Sequence, residues 1–502
     1  MLNLTTQVDF HARVRPDALA LAYDDQRLSW RDLQARVRVT AAGLRERGVG
    51  PDSIVAMLMK NSAAFIELLY AISHLGAVSL PLNFRLAREE IDYILGHSGA
   101  MLLVADDEFR DTVEGIGVAT VILDDAARHD SRAAFGGAGE IIRAHRREAA
   151  DLMRLMYTSG TTDRPKGVMH SYGNFFAKNF DMINNLQLDA NERLGVVGPL
   201  YHVGAADLPG LAVHCAGGAL FVQREFRAEA ALRMIAAEGI TGIWLAPVMT
   251  GAILHQDPAG LPDLGSLRWC IGGGERTPEQ RIRDFRRIFP NARYIDGYGL
   301  TETVSGDVLM EPGREIEKIG SVGRPMSLVE VEIRGEDGAP LPWGEVGEIC
   351  LRGPKVTKGY WKDEARTRAA MLPDGFFRSG DMGYLDSEGF LFLTDRKKDM
   401  IISGGENIAS SEVERVIFEM EQVMDVAVIA QPDPQWGEVP VAVVTLRPGA
   451  ALDFDLLNAH CRARLAGFKC PKALHIVAEL PRNPSGKILK RVLREQIAAG
   501  KA

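Results

Sequence analysis

The first eighty residues alternate between amphipathic helix and short apolar strand, and this alternation restricts the fold more than any other feature of the sequence. Ser29, with Asp32 three residues later, has the pattern of a helix N-cap. The apolar run 54–59 then predicts a buried strand, and 63–75 predicts a second helix that Gly76 ends. Such alternation predicts a parallel sheet with helices packed on its faces.

The stretch from Tyr157 to Gly167 predicts a phosphate-binding loop. Its sequence, Tyr-Thr-Ser-Gly-Thr-Thr-Asp-Arg-Pro-Lys-Gly, combines flexible glycine, hydroxyl donors and a lysine, which together suit phosphate oxygens. The apolar segment 152–156 before it predicts a buried strand, and 171–180 predicts a helix after it. It is not a Walker P-loop, since Lys166 lies between proline and glycine. Taken alone, the stretch is also compatible with an ordinary surface turn.

Four further motifs follow in order along the chain. They are Tyr298-Gly-Leu-Thr-Glu302, Ser379-Gly-Asp381, Asp395-Arg-Lys-Lys-Asp399 with Ser403-Gly-Gly-Glu-Asn407, and Pro484-Ser-Gly-Lys487. Their order and spacing resemble the superfamily of AMP-forming acyl-CoA synthetases, peptide-synthetase adenylation domains and firefly luciferase, from about residue 29 to 495. One departure is Asp163, where many relatives have a second glycine.

The resemblance implies an α/β fold in two parts. Residues 1–395 would form a large multilayered N-terminal region with two β-sheets plus a distorted barrel, binding ATP and the acyl group. Residues 396–502 would form a small mobile α+β lid domain, with the hinge near Lys398. The family swings this lid between adenylation and thioester formation.

The same resemblance assigns roles at the nucleotide. A carboxylate is a poor electrophile until attack on the α-phosphate of ATP makes its oxygen a good leaving group, which a thiol then displaces. Thr301 would contact the α-phosphate, and Glu302 would be the metal ligand for Mg²⁺. The β- and γ-phosphates would be held by Thr158, Ser159, Gly160, Thr161, Thr162 and Lys166. The adenine and acyl group would approach Gly272, Gly273, Gly274 and Glu275, with Asp296, Gly297, Tyr298 and Gly299 completing the adenine pocket.

Further roles follow from the later motifs. Asp381 resembles the family's ribose-binding aspartate, and Arg396 resembles its partner. Lys487 matches the mobile lysine that reaches the reacting carboxylate and α-phosphate. Gly404 and Gly405 would face the pantetheine arm of coenzyme A.

The acyl pocket is predicted around His202, which occupies the aromatic gate position of the segment 199–206. The remaining lining is small or apolar: Val203, Gly204, Ala205, Trp244, Pro247, Met249, Gly272 and Val304. Trp244 is either a wall of this pocket or part of the core. Asp207 is offset from the position where amino-acid-activating relatives pair with the substrate amine. The lining favours a medium-chain, aromatic or alicyclic acid over acetate or malonate.

Composition excludes several other classes. The net charge of -9 leaves no basic footprint for nucleic acid. Five cysteines without a CxxC pair argue against a disulfide framework or zinc site and suit the cytoplasm. No signal peptide or integral membrane segment is predicted, and a homodimer is compatible with the sequence.

The leading interpretation is therefore a carboxylic acid–CoA ligase that uses ATP, Mg²⁺ and coenzyme A as co-substrate. Two alternatives stay open at this point. One is a freestanding acyl-AMP ligase that loads a carrier protein. The other, from a different class, is an inactive nucleotide- or acyl-binding regulator, against which the set Glu302, Asp381, Arg396 and Lys487 speaks.

Overall fold

The protein is described by a computed structural model that covers residues 3–136, 139–158, 164–256, 260–273, 277, 279–396, 399–404, 406–482 and 488–499. The chain divides into two compact units. The first comprises the chain up to Glu317 together with Gly323–Glu330 and Leu351–Phe377. The second comprises Lys318–Val322, Val331–Cys350 and the chain from Arg378 onward. The boundary at 395/396 and the hinge at Lys398 stay predictions.

Strands and helices alternate through most of the first unit. Its strands begin with β1 (Leu19–Tyr23), β2 (Gln26–Ser29), β3 (Ile54–Leu58), β4 (Val78–Pro81), β5 (Leu102–Asp106), β6 (Ala119–Leu123), β7 (Leu152–Thr158) and β8 (Lys166–Ser171). They continue with β9 (Arg193–Val196), β10 (Ala219–Val222), β11 (Gly242–Leu245), β12 (Trp269–Gly273), β13 (Arg293–Tyr298), β14 (Val308–Leu309) and β15 (Ser321–Pro325), of which the part from Gly323 onward belongs to this unit.

The helices follow the same order. They are α1 (Thr5–Val14), α2 (Trp30–Glu46), α3 (Ala63–His74), α4 (Arg88–Ser98), α5 (Arg110–Val113), α6 (Asp125–His129), α7 (Arg132–Phe135), α8 (Tyr172–Leu186), α9 (Val203–Ala205), α10 (Leu211–Ala216), α11 (Ala228–Glu238), α12 (Pro247–Leu254), α13 (Glu279–Ile288) and α14 (Glu364–Ala370). A π-helical turn, Ala206–Gly210, joins α9 to α10.

One sheet of the first unit has the strand order β6-β5-β3-β4-β7-β8. Its pairs are parallel except β7 with β8. Every residue of β3, β4 and β5 is buried, as expected for strands covered on both faces. The predicted alternation is confirmed, including the capping box of Ser29 and Asp32 at α2. Strand β8, which precedes the predicted helix α8, was not predicted.

A second run of strands in the first unit has the order β14-β13-β12-β11-β9-β10-β1-β2. From β13 to β1 neighbouring strands are parallel, so their carboxyl ends lie along one edge. Gly272 and Gly273 end β12 at that edge, beside Asp296 and Gly297 of β13. The predicted Gly272–Glu275 and Asp296–Gly299 segments therefore meet at one place as far as the structure describes them.

The second unit contains most of the remaining elements. These are β16 (Glu330–Arg334), β17 (Gly347–Arg352), β18 (Phe377–Leu385), β19 (Leu391–Arg396), β20 (Ile401–Ser403), β21 (Glu406–Ile408), β22 (Val423–Asp433), β23 (Gly437–Leu446), β24 (Ala473–Ile476), α15 (Ser410–Phe418), α16 (Phe454–Arg462) and α17 (Lys490–Ala498). Strands β16 to β19 lie in that order, and β21-β20-β23-β22 form a sheet that β24 joins beside β23.

An apolar core holds the second unit together, and it includes Ile401, Val413, Ile417, Val428 and Val444. The sequence predicts Ser410 or Ser411 as the cap of its first helix, and this prediction is wrong. Ala409 occupies the N-cap position of α15, both serines are already helical, and the Ser411 hydroxyl donates to the carbonyl of Thr394. The predicted mixed α/β class is confirmed. Among the described residues, no helix has the length and hydropathy that crossing a bilayer requires.

Candidate functional site

The β7–β8 hairpin presents two of the predicted phosphate ligands. Thr158, the last residue of β7, lies opposite Lys166, the first residue of β8. The Thr158 hydroxyl is buried and makes no hydrogen bond within the described part of the chain. A buried hydroxyl without a partner costs about 1–3 kcal/mol, which a phosphate oxygen of a bound nucleotide would recover. The donor set at this hairpin therefore fits ATP.

Lys166 and Glu302 meet although 136 residues separate them. The Lys166 Nζ donates to Glu302 Oε1 at 2.8 Å and to the Tyr360 hydroxyl at 2.8 Å. Tyr360 in turn donates to the same Glu302 Oε1 at 3.0 Å. Glu302 is buried but for 8% of its surface, so its carboxylate is held by these donors rather than by bulk water. The Glu302 carboxylate fits Mg²⁺, a hard cation that prefers oxygen ligands.

The main chain of Thr301 is bonded to a buried polar network. His170 Nε2 donates to the Thr301 carbonyl at 2.6 Å, and His170 Nδ1 accepts from Arg154 at 2.9 Å. Arg154 also binds Asp207 through both carboxylate oxygens, at 3.0 and 2.6 Å. Burial, with Arg154 adding to it, lowers the pKa of His170 to about 3, so the imidazole is neutral at physiological pH. Asp207 is thus a buried structural partner, as expected from its offset position.

The turn after Glu302 has an uncommon backbone. Val304, Ser305 and Gly306 have φ of 57°, 67° and 74°, which is the left-handed region that β-branched residues rarely adopt. Lys355, fully buried, donates to the Gly306 carbonyl at 2.6 Å and to Asp181 at 2.7 Å. Such strain persists only where surrounding contacts impose it, and Lys355 supplies two of them.

The predicted adenine-binding segments depend on close backbone approach. A Cβ at Gly272 would lie 2.0 Å from the Tyr294 hydroxyl oxygen, and one at Gly299 would lie 2.4 Å from the Gly306 nitrogen. Asp296 is buried and accepts from Thr277 at 2.7 Å. The glycines at these two positions are therefore required by packing, whatever ligand they face.

The predicted acyl pocket has an aromatic wall made by His202 and Trp244. Their rings stack with centroids 6.2 Å apart and planes at 29°. Trp244 lies over Gly198 and Gly204, where added Cβ atoms would fall 2.7 and 2.5 Å from its ring. Trp244 is only 9% exposed, so its ring is part of the core and supports the His202 ring from the buried side.

His202 has a defined tautomer in this wall. Its Nδ1 accepts from the Gly204 N–H at 3.0 Å, which leaves the proton on Nε2. Burial lowers the pKa of His202, so the ring is neutral near pH 7. Val203 and Val304 are buried, and Pro247 begins α12, which also carries Met249.

The second unit carries the predicted ribose and coenzyme A residues. Asp381 of β18 lies opposite Arg396 of β19 in the antiparallel register. Gly404 has a φ of 59°, and its N–H donates to the Trp436 carbonyl at 2.7 Å. The other predicted residues lie outside the described part of the chain, as does Asp163: Ser159, Gly160, Thr161, Thr162, Gly274, Glu275, Lys398, Gly405 and Lys487.

Comparison with known families gives the site its context. Residues 8–361 match the AMP-binding enzyme family, and residues 412–487 match the AMP-binding enzyme C-terminal domain. The chain belongs to the AMP-binding enzyme family. Its expected class is confirmed: it is an AMP-forming acid–CoA ligase that uses ATP, Mg²⁺ and coenzyme A.

Individual relatives within this family span nearly the whole chain. A feruloyl-CoA synthase from Amycolatopsis sp is 38% identical over 485 residues, covering 97% of each chain. An indoleacetate–CoA ligase from Aromatoleum aromaticum is 34% identical, covering 99% of this chain and 98% of its own. The o-succinylbenzoate CoA synthetase (MenE) from Bacillus subtilis, solved with the acyl-adenylate intermediate OSB-AMP, has a TM-score of 0.89 at 31% identity and 98% coverage of each chain. The same enzyme solved with ATP and a magnesium ion has a TM-score of 0.88, at 31% identity and with 98% and 99% coverage.

Several residues of the AMP-binding enzyme's site escaped the sequence analysis. Tyr360 and Lys355 carry no local signal, because each acts on residues at least 49 positions away. Arg154 did carry a local signal, because it is the only charged residue in the apolar segment 152–156. A charged residue in a buried strand requires a partner, and here the partners are Asp207 and His170.

Proposed function

We propose that the acid ligated by this enzyme is an aromatic carboxylic acid, of the hydroxycinnamate kind. The observation that carries the proposal is the stacking of the His202 ring on the buried Trp244 ring, because an aromatic acid would extend this stack from the His202 side. Aromatic rings favour offset stacking at centroid distances of about 4.5–7 Å. The relative named feruloyl-CoA synthase, 38% identical over nearly the whole chain, supports the same class of acid.

The predicted acyl lining also argues against a second carboxylate. None of the residues predicted to line the pocket is a lysine or an arginine. His202 is neutral because burial lowers its pKa, so it would not pair with a carboxylate as a cation. Its protonated Nε2 can still donate a hydrogen bond to a neutral oxygen of the acid. Malonate is therefore a poor expected substrate.

The nucleotide end would bind and polarise the triphosphate. Lys166 is proposed to bind phosphate oxygens, together with the Thr158 hydroxyl, which makes no hydrogen bond to the residues that the structure describes. Thr301 is proposed to contact the α-phosphate. Glu302 is proposed to hold Mg²⁺, which when bound neutralises charge on the phosphates. The acid's carboxylate then attacks the α-phosphorus and releases pyrophosphate, and the coenzyme A thiol displaces AMP from the acyl-adenylate.

Other roles rest on the resemblance of motifs. Ser159, Gly160, Thr161 and Thr162 are proposed to cradle phosphates. Asp381, with Arg396, is proposed to bind the ribose hydroxyls, and Lys487 to contact the reacting carboxylate. We also propose a cytoplasmic location, which the free state of all five cysteines supports. Homodimer formation is a proposal that light scattering would test.

The experiment is a comparison of kcat/KM for coenzyme A-dependent AMP release. The acids are ferulate, benzoate, hexanoate, octanoate, acetate and malonate. Ferulate or benzoate should exceed both fatty acids by about ten-fold or more, because only a flat ring stacks on the His202 ring. Acetate and malonate should be lowest, because each buried CH₂ contributes about 0.8 kcal/mol and these two acids bring little apolar surface. A highest value for acetate, malonate or octanoate would contradict the proposal.

A further inference from the structure

The most informative contact that the proposed function does not use is the one between Tyr360 and Glu302. Tyr360 lies in the segment that follows β17, 58 residues beyond Glu302. Its hydroxyl donates to Glu302 Oε1 at 3.0 Å, and the same segment reaches the Glu302 backbone, where the Thr357 N–H donates to the Glu302 carbonyl at 2.7 Å. Two residues of one segment therefore hold both the side chain and the main chain of Glu302.

The Tyr360 side chain is itself fixed in place. Its ring is 5% exposed and packs with Val168 and Phe377 in a small apolar cluster. Its backbone N–H donates to Thr367 Oγ1 at 2.9 Å, and the next N–H, of Trp361, donates to the Gly167 carbonyl at 2.7 Å. The hydroxyl is thus presented to Glu302 by packing and by main-chain bonds to β8.

The direction of the hydrogen bond is also determined. A carboxylate oxygen accepts, so the Tyr360 hydroxyl, 3.0 Å from Glu302 Oε1, is the donor. Lys166 Nζ donates to the same oxygen, Oε1, at 2.8 Å. Both donors therefore bind Oε1, and within the described residues no hydrogen bond to Oε2 is recorded. Hydrogen bonds that fix one oxygen of a carboxylate also fix the direction of the other oxygen, which is then available to a metal.

We propose that Tyr360 is a positioning residue for the metal ligand: its hydroxyl anchors Glu302 Oε1 so that Oε2 points to the Mg²⁺ that accompanies ATP. This inference rests on the proposed role of Glu302 as the metal ligand. Partners that orient a metal-binding side chain typically contribute 10–100-fold to metal affinity. The Tyr360 hydroxyl also accepts from Lys166 at 2.8 Å, so the quantity that isolates its effect on Glu302 is the gain in ATP affinity that the metal brings.

The test measures ATP binding by isothermal titration calorimetry, without any carboxylic acid so that no turnover occurs. Each protein is titrated once in excess Mg²⁺ and once in EDTA, and the ratio of the two Kd values gives the gain in affinity due to the metal. Tyr360→Phe keeps the ring and its packing and removes only the hydroxyl. The gain should fall by roughly ten-fold in this variant, whereas an effect through Lys166 would change the Kd in Mg²⁺ and the Kd in EDTA alike and would cancel in their ratio.

Two further variants make the outcome decisive. Tyr93→Phe removes a partly buried hydroxyl for which the described residues show no hydrogen bond, and it should keep the full gain. Glu302→Gln should abolish the gain. If Glu302→Gln abolishes it and Tyr360→Phe preserves it, the positioning role is wrong although the role of Glu302 stands. If Glu302→Gln also preserves the gain, the roles of Glu302 and of Tyr360 are both overturned. An equal loss of ATP affinity in Mg²⁺ and in EDTA for Tyr360→Phe, with the gain intact, would mean that the hydroxyl acts through Lys166 or through packing and not through Glu302, and the proposal would be wrong.

Discussion

Single residues at this site depend on neighbours that are distant in sequence. Glu302 is one carboxylate among 67 acidic residues, and its environment is made by Lys166 and Tyr360, which restrict one oxygen of its side chain. His202 shows the same dependence, since the Gly204 N–H selects its tautomer. Glycine at 204 serves a second purpose, because it is the residue on which the Trp244 ring rests.

Gly204→Ala should therefore damage the acyl pocket specifically. The new Cβ would lie 2.5 Å from the Trp244 ring, which must move, and such overpacking costs about 1–3 kcal/mol. We expect kcat/KM for the preferred acid to fall by roughly ten-fold or more, with the KM for ATP within about two-fold. Gly251→Ala, at a helical position of α12 with no neighbour within 4 Å, is the matched control. Equal losses in the two variants would mean that the contact of Gly204 with Trp244 has no role in the pocket.

At the scale of elements, the turn after β13 is stabilised by buried charge. Lys355 donates to Gly306 and Asp181 and lies 3.6 Å from Asp307 Oδ1. Burial raises the pKa of Asp307 to about 6, against its ordinary value near 4, while Lys355 opposes that rise. The left-handed residues Val304 to Gly306 lie between the Thr301–Thr303 turn and β14, so this lysine holds the segment that presents Glu302.

Lys355→Met should destabilise the protein by about 3 kcal/mol or more, because it leaves two buried carboxylates without their cation. The loss should shrink on acidification. Lys355 lowers the pKa of Asp307, so this pKa is higher still in the variant than the wild-type value of about 6. A carboxyl whose pKa is raised by folding stabilises the folded state as it takes up its proton, so the variant gains more than wild type as pH falls. Urea unfolding of wild type and variant at pH 7.5 and pH 5.0 measures both effects. Lys358→Met, an exposed lysine three residues away, should change stability by less than about 0.5 kcal/mol. A deficit for Lys355→Met that grows at pH 5.0 would refute the assignment.

At the scale of the whole molecule, the first unit contains several histidines that burial keeps neutral. Burial lowers the pKa of His170 to about 3 and of His214 to about 4. His214 lies between the rings of Trp30 and Tyr70 and bonds to the Tyr70 hydroxyl at 2.8 Å. The unfolded chain binds protons on these groups near pH 6.5, and the folded chain does not. Their contribution to stability is therefore present above pH 6.5 and is lost as pH falls toward 4.

We accordingly expect acid to destabilise this protein well above the pH at which ordinary carboxylates titrate. Each such histidine adds about 1.36 kcal/mol per pH unit to the slope of unfolding free energy between about pH 6 and pH 4. His214→Gln, which retains hydrogen-bonding groups, should be less stable than wild type at pH 7.5 and should lose less on acidification. Urea titrations at pH 7.5, 6.0, 5.0 and 4.5 give the slopes. A variant slope equal to that of wild type would show that His214 does not contribute.

The sequence by itself determined the class of fold, the family and the order of the site's segments. Those properties are local: the cap at Ser29, the buried run of β3 and the glycines beside Lys166 and Glu302 are recognisable within a few residues. Only the tertiary structure decided which distant side chains contact and orient the polar residues of the site. Tyr360 meets Glu302 across 58 residues, Lys355 meets Asp181 across 174, and Arg154 meets Asp207 across 53. The physical reason is that a buried polar group must be paired, whereas the spacing of residues along a chain does not say which partner the fold will bring to it.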